Sequence, residues 1–148
     1  MSHIDQWLNA AIKQAEKSWA EGGIPIGAVL VDAKNQIVAQ GHNERVQNSD
    51  PTAHAEIVCL RNAGRRKDWN LLSLVSTLSP CIMCSGAILL FGIKNVFVGE
   101  NKTFLGAENL MRSKGVEIEV LNNERCVTLM RRMQNERPEL WNEDIGCP

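Results

Sequence analysis

Apolar positions along this chain alternate between helical stripes and short continuous runs. Ile4, Trp7, Leu8, Ala11, Ile12, Ala15 and Trp19 recur at three- and four-residue spacing, which predicts an amphipathic helix over residues 2–21. Ser2 or Asp5 can cap its start and Gly22-Gly23 ends it. Ile24 to Val31 is an apolar run, broken at Asp32-Ala33-Lys34-Asn35 and resumed at Ile37-Val38-Ala39, the pattern of a two-stranded hairpin. Gly41-His42-Asn43 closes the second strand. Residues 46–49 read as loop, and a helix is expected from Asp50-Pro51-Thr52 to Gly64, with Ala53, Ile57, Leu60 and Ala63 on one side.

Residues 69–78 are largely apolar and suit a central strand buried on both faces. They lead into a helix over residues 81–92 whose Ala87 to Phe91 segment is apolar all round, implying burial in the core or in a subunit interface. A strand at 95–99, a loop at 100–104, a helix at 107–113 and a strand at 116–120 with one wet face follow. A last helix, residues 123–136, is expected to stop at Pro138, after which Trp141 and Ile145 give the tail apolar surface to dock. No repeat or linker divides the chain, so one domain is expected over residues 1–148. Five strands interleaved with helices predict a three-layer α/β/α sandwich around a mixed five-stranded sheet.

Composition narrows the function. Lys plus Arg (16) nearly balance Asp plus Glu (17) for a net charge of −1, which argues against binding by phosphate neutralisation, so no nucleic-acid partner is expected. Arg65-Arg66-Lys67 and Arg131-Arg132 read as solvated helix ends or faces. The start of the chain lacks a secretory pattern, and no run is long and apolar enough for a membrane span. Five cysteines do not suggest a disulfide framework, and the expected compartment is the reducing cytosol.

The chemistry concentrates in two segments, His54-Ala55-Glu56 and Ser79-Pro80-Cys81-Ile82-Met83-Cys84. Two cysteines three apart at a helix start share a face, where the unsatisfied N–H groups and the positive dipole end favour thiolates. With His54 they offer three zinc ligands and no obvious fourth, the arrangement of a catalytic ion with an open position. Glu56, two residues from a ligand, is poorly placed to bind the same ion and better suited to moving the protons of an activated water. His54 and Glu56 converge only if His54 sits at the irregular start of its helix. Taken alone, Cys-x-x-Cys also fits a redox pair or a structural zinc knot, with Cys59 the nearest fourth ligand. Together and in this order, the segments match the His-x-Glu and Pro-Cys-x-x-Cys signature of zinc deaminases. Asn43, at a strand end, offers a donor and an acceptor to the edge of a heterocyclic base, whereas His42 reads as structural.

Nearly the whole chain resembles the cytidine deaminase superfamily, and within it the fungal type of cytosine deaminase. The resemblance is carried by Glu21-Gly22-Gly23-Ile24-Pro25-Ile26-Gly27, Gly41-His42-Asn43, His54-Ala55-Glu56-Ile57, Thr77-Leu78-Ser79-Pro80-Cys81, Val98-Gly99-Glu100-Asn101 and the tail around Trp141 and Glu143-Asp144-Ile145-Gly146. Asp50-Pro51-Thr52-Ala53-His54 is closer to guanine and tRNA deaminases, and Val46 replaces an aromatic residue. The resemblance implies one Zn2+ held by His54, Cys81 and Cys84, with Glu56 as catalytic proton shuttle. It implies that Asn43 and the N–H of Ala55 hold the amide edge of a nucleobase, that Ser79 and Asp144 receive its amino group, and that Phe104 and Trp141 cover the ring. It further implies a homodimer and a C-terminal lid over residues 138–148. The expected reaction is deamination of cytosine to uracil; alternatives are a guanine or other purine deaminase, a tRNA adenosine deaminase, or a non-catalytic zinc-stabilised binding module.

Overall fold

The computed structural model describes residues 2–147. The first helix, α1 (His3–Ala20), begins with a capping box in which Ser2 Oγ accepts the Asp5 N–H and the Asp5 carboxylate accepts the Ser2 N–H. The hairpin follows as β1 (Gly27–Val31) and β2 (Ile37–His42), paired antiparallel, with Asn35 left-handed at φ 64° in its turn. Asp32 accepts the N–H groups of Lys34 and Gln36 there, so one carboxylate organises the reversal.

β3 (Ser73–Ser76) pairs antiparallel with β1 and parallel with β4 (Asn95–Val98), which pairs parallel with β5 (Glu117–Val120). The sheet order is β2-β1-β3-β4-β5, the mixed five-stranded sheet expected. β1 is buried along its whole length because both faces are covered. Val29 and Val31 of β1 and Val75 of β3 pack with Trp7, Leu8, Ala11 and Ile12 of α1. Ala28, Leu30 and Leu74 belong to the opposite layer, with Ala55, Cys59 and Leu60 of α3 (Ala55–Ala63) and Ile88 of α4 (Ile82–Phe91). The remaining helices are the short α2 (Arg45–Asn48), α5 (Glu108–Ser113), α6 (Glu124–Glu136) and α7 (Pro138–Asp144).

Several boundaries differ from expectation for local reasons. Residues 46–49 are mostly the helical turn α2, not loop. α3 does not start at Asp50, because the Asp50 side chain accepts from the N–H and hydroxyl of Thr52 and turns the chain instead of capping a helix. Of residues 69–78 only Ser73–Ser76 is strand; Trp69–Leu71 is a single 3-10 turn. β1 begins at Gly27 and not at Ile24. Pro138 does not merely stop α6. It occupies the first turn of α7, where a missing N–H costs nothing, so the tail is helical and Trp141 is buried. α4 is only half covered, with Ile82, Leu90 and Phe91 exposed and Leu90 at 80%.

Gly27 is where α1 and the sheet come closest, and a Cβ there would collide with the carbonyl oxygen of Ala11. Gly27→Ala is expected to lower unfolding free energy by about 2 kcal/mol or more in denaturant titration, as overpacking against backbone does. Wild-type stability in that variant would contradict the placement of α1 on β1.

Candidate active site

His54 is the N-cap of α3, with extended backbone (φ −68°, ψ 155°), so it stands outside the helical repeat. That resolves the spacing problem: Glu56, inside the first turn and 4% exposed, borders the same cavity as His54. Cys81 is likewise the extended N-cap of α4, preceded by Pro80, while Cys84 lies in the first turn. His54 Nδ1 is 3.4 Å from Cys81 Sγ and 3.7 Å from Cys84 Sγ. A tetrahedral zinc ion with ordinary bond lengths separates a nitrogen and a sulfur ligand by about 3.6 Å. The three ligand atoms, all within 4.8 Å of one another, therefore fit one metal ion. Cys59 is buried but outside this cluster, so among the described residues no fourth protein ligand closes the site.

Electrostatics of the metal-free chain suit a cation. A hydrogen bond from Cys84, opposed by burial and reinforced by His54, pulls the Cys81 thiol down to about 4. The same contact with Cys81, together with burial, pushes Cys84 up. Burial disfavours a charged His54, yet its contacts with Asp144 and Cys81 prevail and raise it to about 10. Burial, then the neighbouring Cys81 thiolate, raises Glu56 to about 7, with His54 opposing. The imidazole faces the sulfurs through Nδ1 and places Nε2 3.1 Å from Asp144 Oδ1, an ion-pair contact on the side away from the sulfurs.

Asn43, His54, Ala55, Glu56, Ser79, Cys81, Phe104, Trp141 and Asp144 all border one cavity, a concave apolar pocket with a few converging polar groups. Cys84 does not line it and meets the site through its sulfur beside His54. Asn43 is held at both ends of its amide: Oδ1 accepts the Arg45 N–H at 2.9 Å and Nδ2 donates to Asp144 Oδ2 at 3.4 Å. Its backbone carbonyl accepts from Ser18 Oγ and Gln47 Nε2 and lies 3.0 Å from His42 Nδ1, the structural role expected for His42. Phe104 and Trp141 meet edge to face at 5.6 Å. Sequence reasoning missed Ile26, Leu78 and Ile145, apolar walls beside recognised positions, and Arg45, whose guanidinium lies 3.8 Å from Asp144. Ile26, Leu78 and Ile145 lie within the segments that carry the resemblance, whereas only its place two residues after Asn43 could have marked Arg45.

One imidazole and two sulfurs on paired helix starts, with a buried carboxylate beside them and no fourth protein ligand among the described residues, make this a zinc-dependent hydrolytic site. The chain belongs to the cytidine and deoxycytidylate deaminase family, whose zinc-binding region matches residues 1–100. It is 48% identical over 141 residues to a cytosine deaminase of Candida albicans, covering 94% of each chain. It is 43% identical over 106 residues to a tRNA-specific adenosine deaminase of Haemophilus influenzae, covering 70% of this chain and 61% of that one. A solved tRNA:A34 deaminase superposes with a TM-score of 0.74 at 25% identity, covering 84% of this chain and 99% of that one. The guanine deaminase of Nitrosomonas europaea shares the fold at 20% identity and a TM-score of 0.70, with 84% and 81% covered.

Near neutral pH the metal-free site carries protons on Cys84 and His54 but not on Cys81. Because the free site holds more protons than the loaded one, zinc affinity is expected to rise with pH and loading to release about two protons. Calorimetry in buffers of different ionisation enthalpy measures that number; release of none would contradict the assigned ligands.

Proposed function

We propose that this chain is a zinc-dependent cytosine deaminase that hydrolyses the free base to uracil and ammonia. The observation that carries the reading is the convergence of Asn43, Glu56, Ser79 and Asp144 with His54 and Cys81 on one cavity. The identity with the Candida albicans cytosine deaminase over nearly the whole chain supports the same substrate. Zinc, when bound, supplies a Lewis acid that makes water available as a nucleophile near neutral pH.

The side chains divide the remaining work. Glu56 takes a proton from the attacking water, passes it to the ring nitrogen beside the carbon under attack, and delivers a second, taken from the hydroxyl newly bonded to that carbon, to the departing amine. The new C–O bond replaces the broken C–N bond, and nitrogen leaves as ammonia. Asn43 and the Ala55 N–H hold the amide edge of the base, and the Ser79 carbonyl and Asp144 accept its amino group. Phe104 and Trp141 cover the ring.

The chain acts as one domain in which the tail over residues 138–148, of which residue 148 lies outside the described residues, is the lid. Its support is that α7 contributes both Trp141 and Asp144 to the cavity. A homodimer accounts for the exposed Ile82, Leu90 and Phe91 of α4. The five unpaired cysteines suit the reducing cytosol. Near-neutral charge suits a small-molecule substrate and no nucleic-acid partner. No described helix is long and apolar enough to cross a membrane.

Ammonia release from a panel of free bases is expected to rank cytosine well above guanine and adenine; turnover of guanine alone would transfer the chain to the purine deaminases. Glu56→Ala is expected to retain zinc while losing at least about 10²-fold in turnover. Near-normal turnover in that variant would refute the proton-shuttle role.

A further inference from the structure

We propose that Glu108 is a positioning residue that sets the amino-selecting wall of the cavity, an inference that rests on Ser79 meeting the amino group of the substrate. Glu108 opens α5 and is 2% exposed. It does not border the cavity, so it touches no substrate atom. Its carboxylate accepts the Ser79 hydroxyl at 2.6 Å, the Asn101 side-chain amide at 3.3 Å on each oxygen, and the Arg112 guanidinium at 3.4 Å. A buried carboxylate is tolerated only with such partners. Here they come from three segments: the turn leading to Cys81, the loop carrying Phe104, and α5 itself.

The consequence for Ser79 is specific. Its N–H donates to the Glu100 carbonyl at 3.1 Å, and its hydroxyl, while donating to Glu108, also accepts the Gly106 N–H at 2.9 Å. Both groups are engaged by the protein, which leaves the carbonyl of Ser79 for the cavity it borders. The loop is secured at its other end by Glu100, fully buried, whose carboxylate accepts the N–H groups of Lys102 and Thr103 and the Thr103 hydroxyl. Phe104 thus rides on a loop tied at both ends by buried acids. Gly106 lies so close to Pro80 that a Cβ would overlap its carbonyl, leaving the loop little room to shift.

A carbonyl fixed in this way attracts an amino group and repels the exocyclic oxygen that replaces it, so it separates an amino-bearing substrate from its oxo product. Without the Glu108 carboxylate the Ser79 turn loses one of its ties, and that discrimination falls. The readout is KM and kcat for cytosine and the competitive Ki of uracil, measured on the zinc-loaded full chain. Glu108→Ala is expected to raise KM for cytosine about tenfold, with Ki for uracil changed by less than about twofold, kcat falling less than KM rises, and zinc content unchanged. Glu108→Gln, which keeps an acceptor oxygen for the Ser79 hydroxyl, is expected to recover most of the loss. Parallel changes in KM and Ki, or no change in either, would overturn the proposal.

If Glu108→Ala fails to fold, Ser79→Ala removes the same hydroxyl and keeps the carbonyl. The same selective loss is expected there, and its absence would overturn the proposal equally. Failure of the unmutated chain to release ammonia from cytosine would overturn the substrate reading beneath, and this inference with it, before any variant is made.

Discussion

Two helix starts held side by side are the constraint from which the rest of this molecule follows. α3 and α4 each begin with a ligand in extended backbone, His54 and Cys81, and only that irregular residue lets an imidazole and two sulfurs approach within 4.8 Å of one another. The free N–H groups of the first turns favour the negative charge that gathers there. The sheet exists, functionally, to hold these starts in register. β3 runs into Ser79-Pro80-Cys81, and Gly41 of β2 lies so close to α3 that a Cβ would sit 2.7 Å from the Cys59 nitrogen.

Around that pair, buried polar side chains from different elements meet one another. Asp144 connects three parts of the fold: Asn43 after β2, His54 before α3, and its own helix α7. Asp144 thus joins the tail to His54 and to the cavity that both border. The root of that tail is firm. Arg137, between α6 and α7, donates to the carbonyls of Gly23 and Trp19 and lies 3.6 Å from the centre of the Trp19 ring.

What the sequence showed and what it hid separate along physical lines. Strong periodicity gave α1, and alternation gave β5, because burial of one face is written directly into residue spacing. The metal ligands were legible because few side chains can hold zinc and their spacing is constrained by helix geometry. The start of α3 was misplaced because Asp50 and Thr52 carry capping chemistry but use it to make a turn. The helical tail was obscured because Pro138 ends one helix and begins the next. Arg45 and Glu108 were invisible for another reason: each matters only through partners that the fold brings to it, Asp144 for one and Ser79 for the other.

The central claim is that one ion is held by two sulfurs and one imidazole, with a position left free beside a buried carboxylate. X-ray absorption at the zinc edge of the loaded protein measures this directly. Two sulfur scatterers at about 2.3 Å and two nitrogen or oxygen scatterers near 2.0–2.1 Å are expected. A shell of three or four sulfurs, or one saturated by protein ligands alone, would contradict it.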